Sequence, residues 1–160
     1  MTPTNYTLHK FFTVSNAIEG IDDNDEVLRQ SELFSGMETY VTLEWYMYWF
    51  HKNMNHLNSY CKPWKLRDYD VFVGGRKCLA PERISASLDL LFEEKPKSYI
   101  EIKAWHVRFE KIHPFWDGNG RTWRFLMLRQ MVDNNVPIPH YLLTMENFEF
   151  NRQRYYRWFN

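Results

Sequence analysis

From Met37 to Tyr60 the residues Tyr40, Leu43, Met47, Phe50, Met54 and Leu57 recur at alternating spacings of three and four, while His51, Asn55 and Asn58 fall on another side. That period predicts an amphipathic helix over 37–60 whose aromatic and methionine stripe packs into a core. Ile102, Trp105, Phe109 and Ile112 repeat the spacing and predict a helix from Ser98 to Ile112. His113-Pro114 closes it, because a residue before proline is driven out of the right-handed helical region. Another helix opens at Pro81-Glu82, carries Ile84, Leu88, Leu91 and Phe92 on one side, and stops before Pro96. From about Gly120 to Val132 the chain is apolar nearly all round (Trp123, Phe125, Leu126, Met127, Leu128, Met131), as a central buried helix requires. A short helix over 7–19 ends at Gly20. The acidic turn Asp22-Asp23-Asn24-Asp25 follows it and reads as solvated linker and helix cap, and a last helix is expected over Glu146–Trp158.

One stretch breaks the helical period. Tyr69, Val71 and Val73 alternate with Asp70 and Phe72 ahead of Gly74-Gly75, and Arg76-Lys77-Cys78-Leu79 follows. Alternation around a Gly-Gly pair predicts a β-hairpin, since a primed turn needs positive φ at both central residues. A lone hairpin is marginal in water, so it must lie on the helical body or await a partner strand. The expected fold class is all-α with one hairpin.

The length, 160 residues, fits one domain over 1–160, and no repeat, low-complexity block or Gly/Ser linker divides it. With 44% apolar, 18% aromatic and 25% charged residues, the chain is neither disordered nor a disulfide scaffold. Lys plus Arg number 20, as do Asp plus Glu, so net charge draws it to neither nucleic acid nor an acidic membrane. Arg152, Arg154 and Arg157 stand among aromatics, but no nucleic-acid motif accompanies them. Cys61 and Cys78 read as reduced thiols. The start lacks a Sec-type signal and no stretch is long enough to span a bilayer, which makes cytoplasmic residence the expectation. The six histidines show no zinc spacing, and no structural metal is expected.

The chemistry gathers at 113–124, His-Pro-Phe-Trp-Asp-Gly-Asn-Gly-Arg-Thr-Trp-Arg. Gly118 and Gly120 flank Asn119 just before a helix, so backbone N–H groups can turn inward where the helix dipole is positive. Arg121 and Arg124, three apart, project from one side of the first turn and complete a site for a polyphosphate. Asp117 is a natural Mg²⁺ ligand beside phosphates, and His113 can accept a proton near neutral pH. Base, metal ligand, anion cradle and two cationic clamps together fit phosphoryl or nucleotidyl transfer.

The segment resembles the signature of the Fic-domain family, His-x-Phe-x-Asp/Glu-Gly-Asn-Gly-Arg-x-x-Arg, at all eight specified positions. Trp105-His106 through Ile112 is similar to that family's helix ahead of the motif, and Val71–Gly75 to its flap hairpin. The resemblance implies a Fic-type helical core with a β-hairpin flap over about 67–80 and an active-site loop and helix start over 113–124. It also implies transfer of AMP from ATP to a Ser, Thr or Tyr hydroxyl of a protein, itself included, with release of pyrophosphate. On that resemblance His113 would deprotonate the hydroxyl and Asp117 would hold Mg²⁺ against the α- and β-phosphates. Gly118, Asn119 and Gly120 would form the anion hole, Arg121 would face the β-phosphate and Arg124 the γ-phosphate. Phe115 would be a core anchor. Val71, Phe72 and Val73 would dock the target by strand addition, while Asn151, Tyr155 and Tyr156 would lie on the adenine side.

Ser15-Asn16-Ala17-Ile18-Glu19-Gly20 is similar to the family's inhibitory motif, Ser/Thr-x-x-x-Glu-Gly/Asn. It implies the subgroup with an N-terminal inhibitory helix (about 7–20), in which Glu19 bridges Arg124 and removes the γ-phosphate clamp. Two other readings stay open: a non-catalytic nucleotide-binding interaction module, and a Fic-type transferase that uses another nucleotide or a phosphocholine donor. The target, the oligomeric state and any export as an effector are not written in the sequence.

Overall fold

The computed structural model describes residues 3–37 and 41–138. Helix α1 (Asn5–Ile18) starts at Thr4, whose hydroxyl accepts from the Thr7 amide, and α2 (Asn24–Ser35) at Asp23, whose carboxylate accepts from the Glu26 amide. Thr42 caps α3 (Leu43–Lys52) in the same way. A 3-10 turn (Pro81–Arg83) leads into α4 (Ile84–Glu93). Ser98 and Glu101 form a full capping box at α5 (Tyr99–Ile112), and α6 (Asn119–Asp133) follows the glycine bend. Each such cap satisfies amides that have no partner inside the helix and stabilises it by about 1 kcal/mol. Strands β1 (Phe72–Val73) and β2 (Arg76–Lys77) pair antiparallel, Phe72 opposite Lys77 and Val73 opposite Arg76. Gly74 and Gly75 both take positive φ in the turn, as the Gly-Gly pattern requires. The fold is helical with a single small hairpin among the described residues, matching the expected class.

Helix α6 is the axis of the core and packs against α1, α3 and α5. Its side chains are buried on every face from Arg121 to Met131. Phe125 stacks on Phe50 of α3 with ring centroids 3.9 Å apart, and also meets Phe12 of α1 and Phe34 of α2. Each buried aromatic or aliphatic side chain here contributes about 1.5–3 kcal/mol. The site at the start of α6 therefore rests on the most deeply packed element.

Two expectations are corrected. The helix expected over 37–60 runs only from Leu43 to Lys52. Asn53 ends it, its side-chain amide donating to the Trp49 carbonyl, and His56 takes φ +55°. Asparagine side chains compete for the backbone bonds a helix would use, so the run of Asn53, Asn55 and Asn58 yields loop instead. The stripe survives the break because Met54 and Leu57 still pack on the core. Second, the acidic turn does more than cap. It opens α2, a helix the pattern did not disclose, and within it Glu26 is 1% exposed. The helix expected over 146–158 lies outside the described residues. Cys61 and Cys78 are free thiols, and no helix among the described residues is long and apolar enough to cross a membrane.

His106 is buried in α5 between Trp105 and Trp123, with ring centroids 5.3 and 5.0 Å away, and neither ring nitrogen has a hydrogen-bond partner among the described residues. Burial pushes its pKa from the ordinary 6.5 down to about 3. Below pH 6.5 the unfolded chain takes up a proton that the folded chain refuses. Stability is therefore complete above pH 6.5 and falls as pH drops through the 6.5-to-3 window, at up to about 1.4 kcal/mol per pH unit. Thermal melts between pH 7 and 4.5 should show Tm falling with acidification, and His106→Leu should flatten part of that slope.

Candidate active site

The loop between α5 and α6 is built by its own side chains. Asn119, buried, accepts from the Phe115 amide through Oδ1 (2.9 Å) and donates to the Phe115 carbonyl through Nδ2 (2.8 Å). Those two bonds close 115–119 into a ring of backbone. Phe115 is fully buried and stacks on His51 at 3.8 Å, the anchor expected of it. Gly118 takes φ +76°, and its carbonyl accepts from both the amide (3.0 Å) and the hydroxyl (2.8 Å) of Thr122. The bend delivers the first amides of α6 (Asn119, Gly120, Arg121) to the site, where helix geometry provides them no internal acceptor. A helix N-terminus of this kind suits an anion.

His113 sits at the end of α5 in the left-handed region, φ +50°, ψ +65°. Proline after it forbids the right-handed helix, as expected, but the outcome is left-handed and not extended. For a residue with a Cβ this conformation costs about 1–2 kcal/mol. Its imidazole is 15% exposed, and Nδ1 is 3.3 Å from Glu110 Oε1, an ion-pair distance without an aligned hydrogen bond. Glu110, one turn back on α5, is a site residue that the motif does not contain. Its position three before His113 is the signal that could have found it.

The Asp117 carboxylate is held at both oxygens: Oδ2 accepts from the Asn58 amide (2.7 Å) and Oδ1 from the Gly118 amide (2.6 Å). Its carbonyl lies 2.9 Å from His51 Nε2. Because the Trp64 amide donates to His51 Nδ1 (2.7 Å), the proton of a neutral ring must sit on Nε2 and point at Asp117. Burial lowers the His51 pKa from 6.5 to about 4, which keeps that tautomer.

The two arginines part company. Arg121 is buried and donates to the carbonyls of Asn55 (2.9 Å) and His56 (3.1 Å), so its guanidinium fastens the 53–58 loop instead of standing free beside Arg124. Burial also draws its pKa down. Arg124 meets α1 instead. Nε donates to Ser15 Oγ (2.9 Å), and Nη2 donates to the Ser15 carbonyl (2.9 Å) and to Glu19 Oε1 (2.6 Å). A Cβ built on Gly120 would stand 2.4 Å from that same Glu19 oxygen. A carboxylate thus lies against the N-terminal turn of α6, where an anion would sit. Gly20, φ +74°, turns the chain away immediately after.

The hairpin lies against the end of α5: the Leu79 amide donates to the Lys111 carbonyl (3.2 Å), and Phe72 is exposed on its first strand with Val71 and Val73 half-buried. A cavity of about 1190 Å³ separates it from α4 and α5, with Val73, Leu79, Leu90, Leu91, Glu110 and Ile112 among its lining. Asn151, Tyr155 and Tyr156 lie outside the described residues.

Fold and loop together define a helical protein whose central helix opens directly from the loop that carries His113 and Asp117. The family model for the Fic/DOC family matches residues 40–131, more than half of the chain, and the chain belongs to the Fic/DOC family. Its proteins transfer nucleotide or other phosphate-containing groups to proteins. Helix α1, with Ser15 in its last turn and Glu19 at its C-cap, precedes the matched stretch.

Gly118 and Gly75 separate strain from crowding. Both have positive φ, but a Cβ at Gly118 would meet Leu57 at 2.8 Å and Met54 at 2.9 Å, whereas one at Gly75 meets nothing within 4 Å. Gly75→Ala should cost about 1–2 kcal/mol, from backbone strain alone. Gly118→Ala should lower Tm further, as overpacking adds about 1–3 kcal/mol. Paired thermal denaturation checks the order.

Proposed function

We propose that this member of the family is a protein adenylyltransferase restrained by its own α1. The observation that carries the reading is the complete His113–Arg124 signature folded as one loop and the first turns of α6, with the Glu19 carboxylate lying against Gly120 and bonded to Arg124.

The triphosphate of ATP takes the open amides of Asn119, Gly120 and Arg121, and the dipole of α6 adds to their pull. Arg124 is the γ-phosphate clamp once Glu19 leaves it. Arg121 contributes its charge on the β-phosphate side while its N–H groups keep the loop in place. His113 accepts the proton of a target Ser, Thr or Tyr hydroxyl as the oxygen attacks the α-phosphorus. The bond from that phosphorus to the bridging oxygen breaks, and pyrophosphate carries away the electron pair. Glu110 Oε1 stands 3.3 Å from Nδ1 of the His113 ring. The flap residues Val71, Phe72 and Val73 take the target backbone as an added strand.

Asp117 fits a Mg²⁺ ion. Each carboxylate oxygen accepts one backbone amide and keeps lone pairs in hand, and one carboxylate with phosphates and waters is the usual Mg²⁺ donor set. When bound, the ion neutralises charge developing on the phosphate oxygens. In the resting chain Glu19 holds Arg124 from the γ-phosphate, so ATP lies with its α-phosphate misaligned.

Mass spectrometry after incubation with Mg²⁺-ATP tests the scheme. Glu19→Gly should gain one adenylyl group on itself about tenfold faster than wild type or more, the worth of one charge-assisted bridge. His113→Ala in that background should abolish the gain. Equal rates for wild type and Glu19→Gly would remove the brake. Label transferred from the γ and not the α position of ATP would replace nucleotidyl by phosphoryl transfer.

A further inference from the structure

Arg67 belongs to no motif, yet it is 4% exposed with no carboxylate within ion-pair range among the described residues. A buried guanidinium without a counter-ion is expensive unless each of its nitrogens finds an acceptor. Here the acceptors are carbonyls from three separate segments. Nε donates to His113 (2.7 Å), Nη1 to Tyr69 (2.8 Å), and Nη2 to both Leu79 and Ile112 (3.0 Å for the latter). The Arg67 amide adds a bond to the Pro114 carbonyl (2.9 Å). Tyr69 and Leu79 are the entry and exit of the hairpin, and Ile112, His113 and Pro114 form the turn that bears the imidazole.

We propose that Arg67 is a positioning residue that fixes the flap to the His113 turn, so that a target strand held on the hairpin meets the imidazole at a set distance. The proposal rests on the transferase reading of His113. One planar fork spans both segments, and lysine, a point charge with three donors, cannot reproduce it. The phosphate cradle lies on α6 and touches Arg67 nowhere in this bonding pattern, so ATP binding and target presentation separate.

The test uses the full chain with Glu19→Gly as parent, adding Arg67→Lys or Arg67→Met. Fluorescence titration with ATP, self-modification rates with Mg²⁺-ATP, and amide hydrogen exchange are read on each. Expected are an ATP Kd within about twofold of the parent and a transfer rate lower by about 10- to 100-fold, the cost of a misplaced reacting group. The Cys78, Leu79 and His113 amides should exchange faster together, while those of α6 do not change. A folded variant whose rate stays within twofold overturns the proposal, as does loosening of the flap amides without His113. Should Arg67→Met not fold, Arg67→Lys decides. Should the parent transfer nothing, the transferase reading fails by itself, and the paired exchange of flap and His113 amides still decides whether Arg67 couples them.

Discussion

The double hydrogen bond between Asn119 and the backbone of Phe115 is the constraint from which the site follows. A loop that must turn from α5 into α6 without leaving buried polar groups unsatisfied has few solutions. This one uses a side-chain amide to close both the N–H and the C=O of a residue whose ring is locked in the core. With Phe115 fixed by His51 on one side and Asn119 on the other, Gly118 must take its positive φ and the first amides of α6 must face outward. The outward row of amides is thus a by-product of how the central helix begins, and it inherits the rigidity of a helix buried on nearly every face.

Around that loop runs a second layer that carries no motif. Residues 51–67 surround it: His51 orients the Asp117 carbonyl, Asn58 holds its carboxylate, the Asn55 and His56 carbonyls accept from Arg121, and Arg67 donates to the carbonyls of Ile112 and His113. Backbone groups do much of this work. The layer is irregular because a regular helix would consume the very N–H and C=O groups that the site requires.

This explains what could be read from the sequence and what could not. Periodicity located α3, α4 and α5, each of which buries one stripe, an apolar run located α6, the stop at Gly20 located α1, and the Gly-Gly pair located the hairpin. It failed at 53–60, where Met54 and Leu57 keep helical spacing but pack from a loop onto Gly118. Hydrophobic spacing reports burial, and burial does not require a helix. It also passed over α2, whose apolar stripe is thin: among its buried residues Glu26 and Gln30 stand beside Val27 and Phe34. Within 113–124 the residue types disclosed the family. They could not disclose that Arg121 would turn to the carbonyls of 55–56, because helical spacing gives a side chain's direction and not its partner.

The α1–α2 pair grips the site at two points that are not equivalent. Glu19 holds Arg124, and on the other side α2 holds the 53–58 loop: Glu26 Oε1 accepts from the Asn55 amide at 3.2 Å, and Asp23 lies 2.6 Å from His56 Nε2. That contact with His56 keeps the Asp23 carboxyl below its usual range. Asn55 and His56 are the same residues whose carbonyls anchor Arg121. Undocking both helices would therefore free Arg124 at the expense of Arg121 and of the loop that steadies Asp117. A displacement confined to the end of α1 would free Arg124 alone. If α1 is a brake, the architecture favours release at Glu19, with α2 left in place as part of the site's wall.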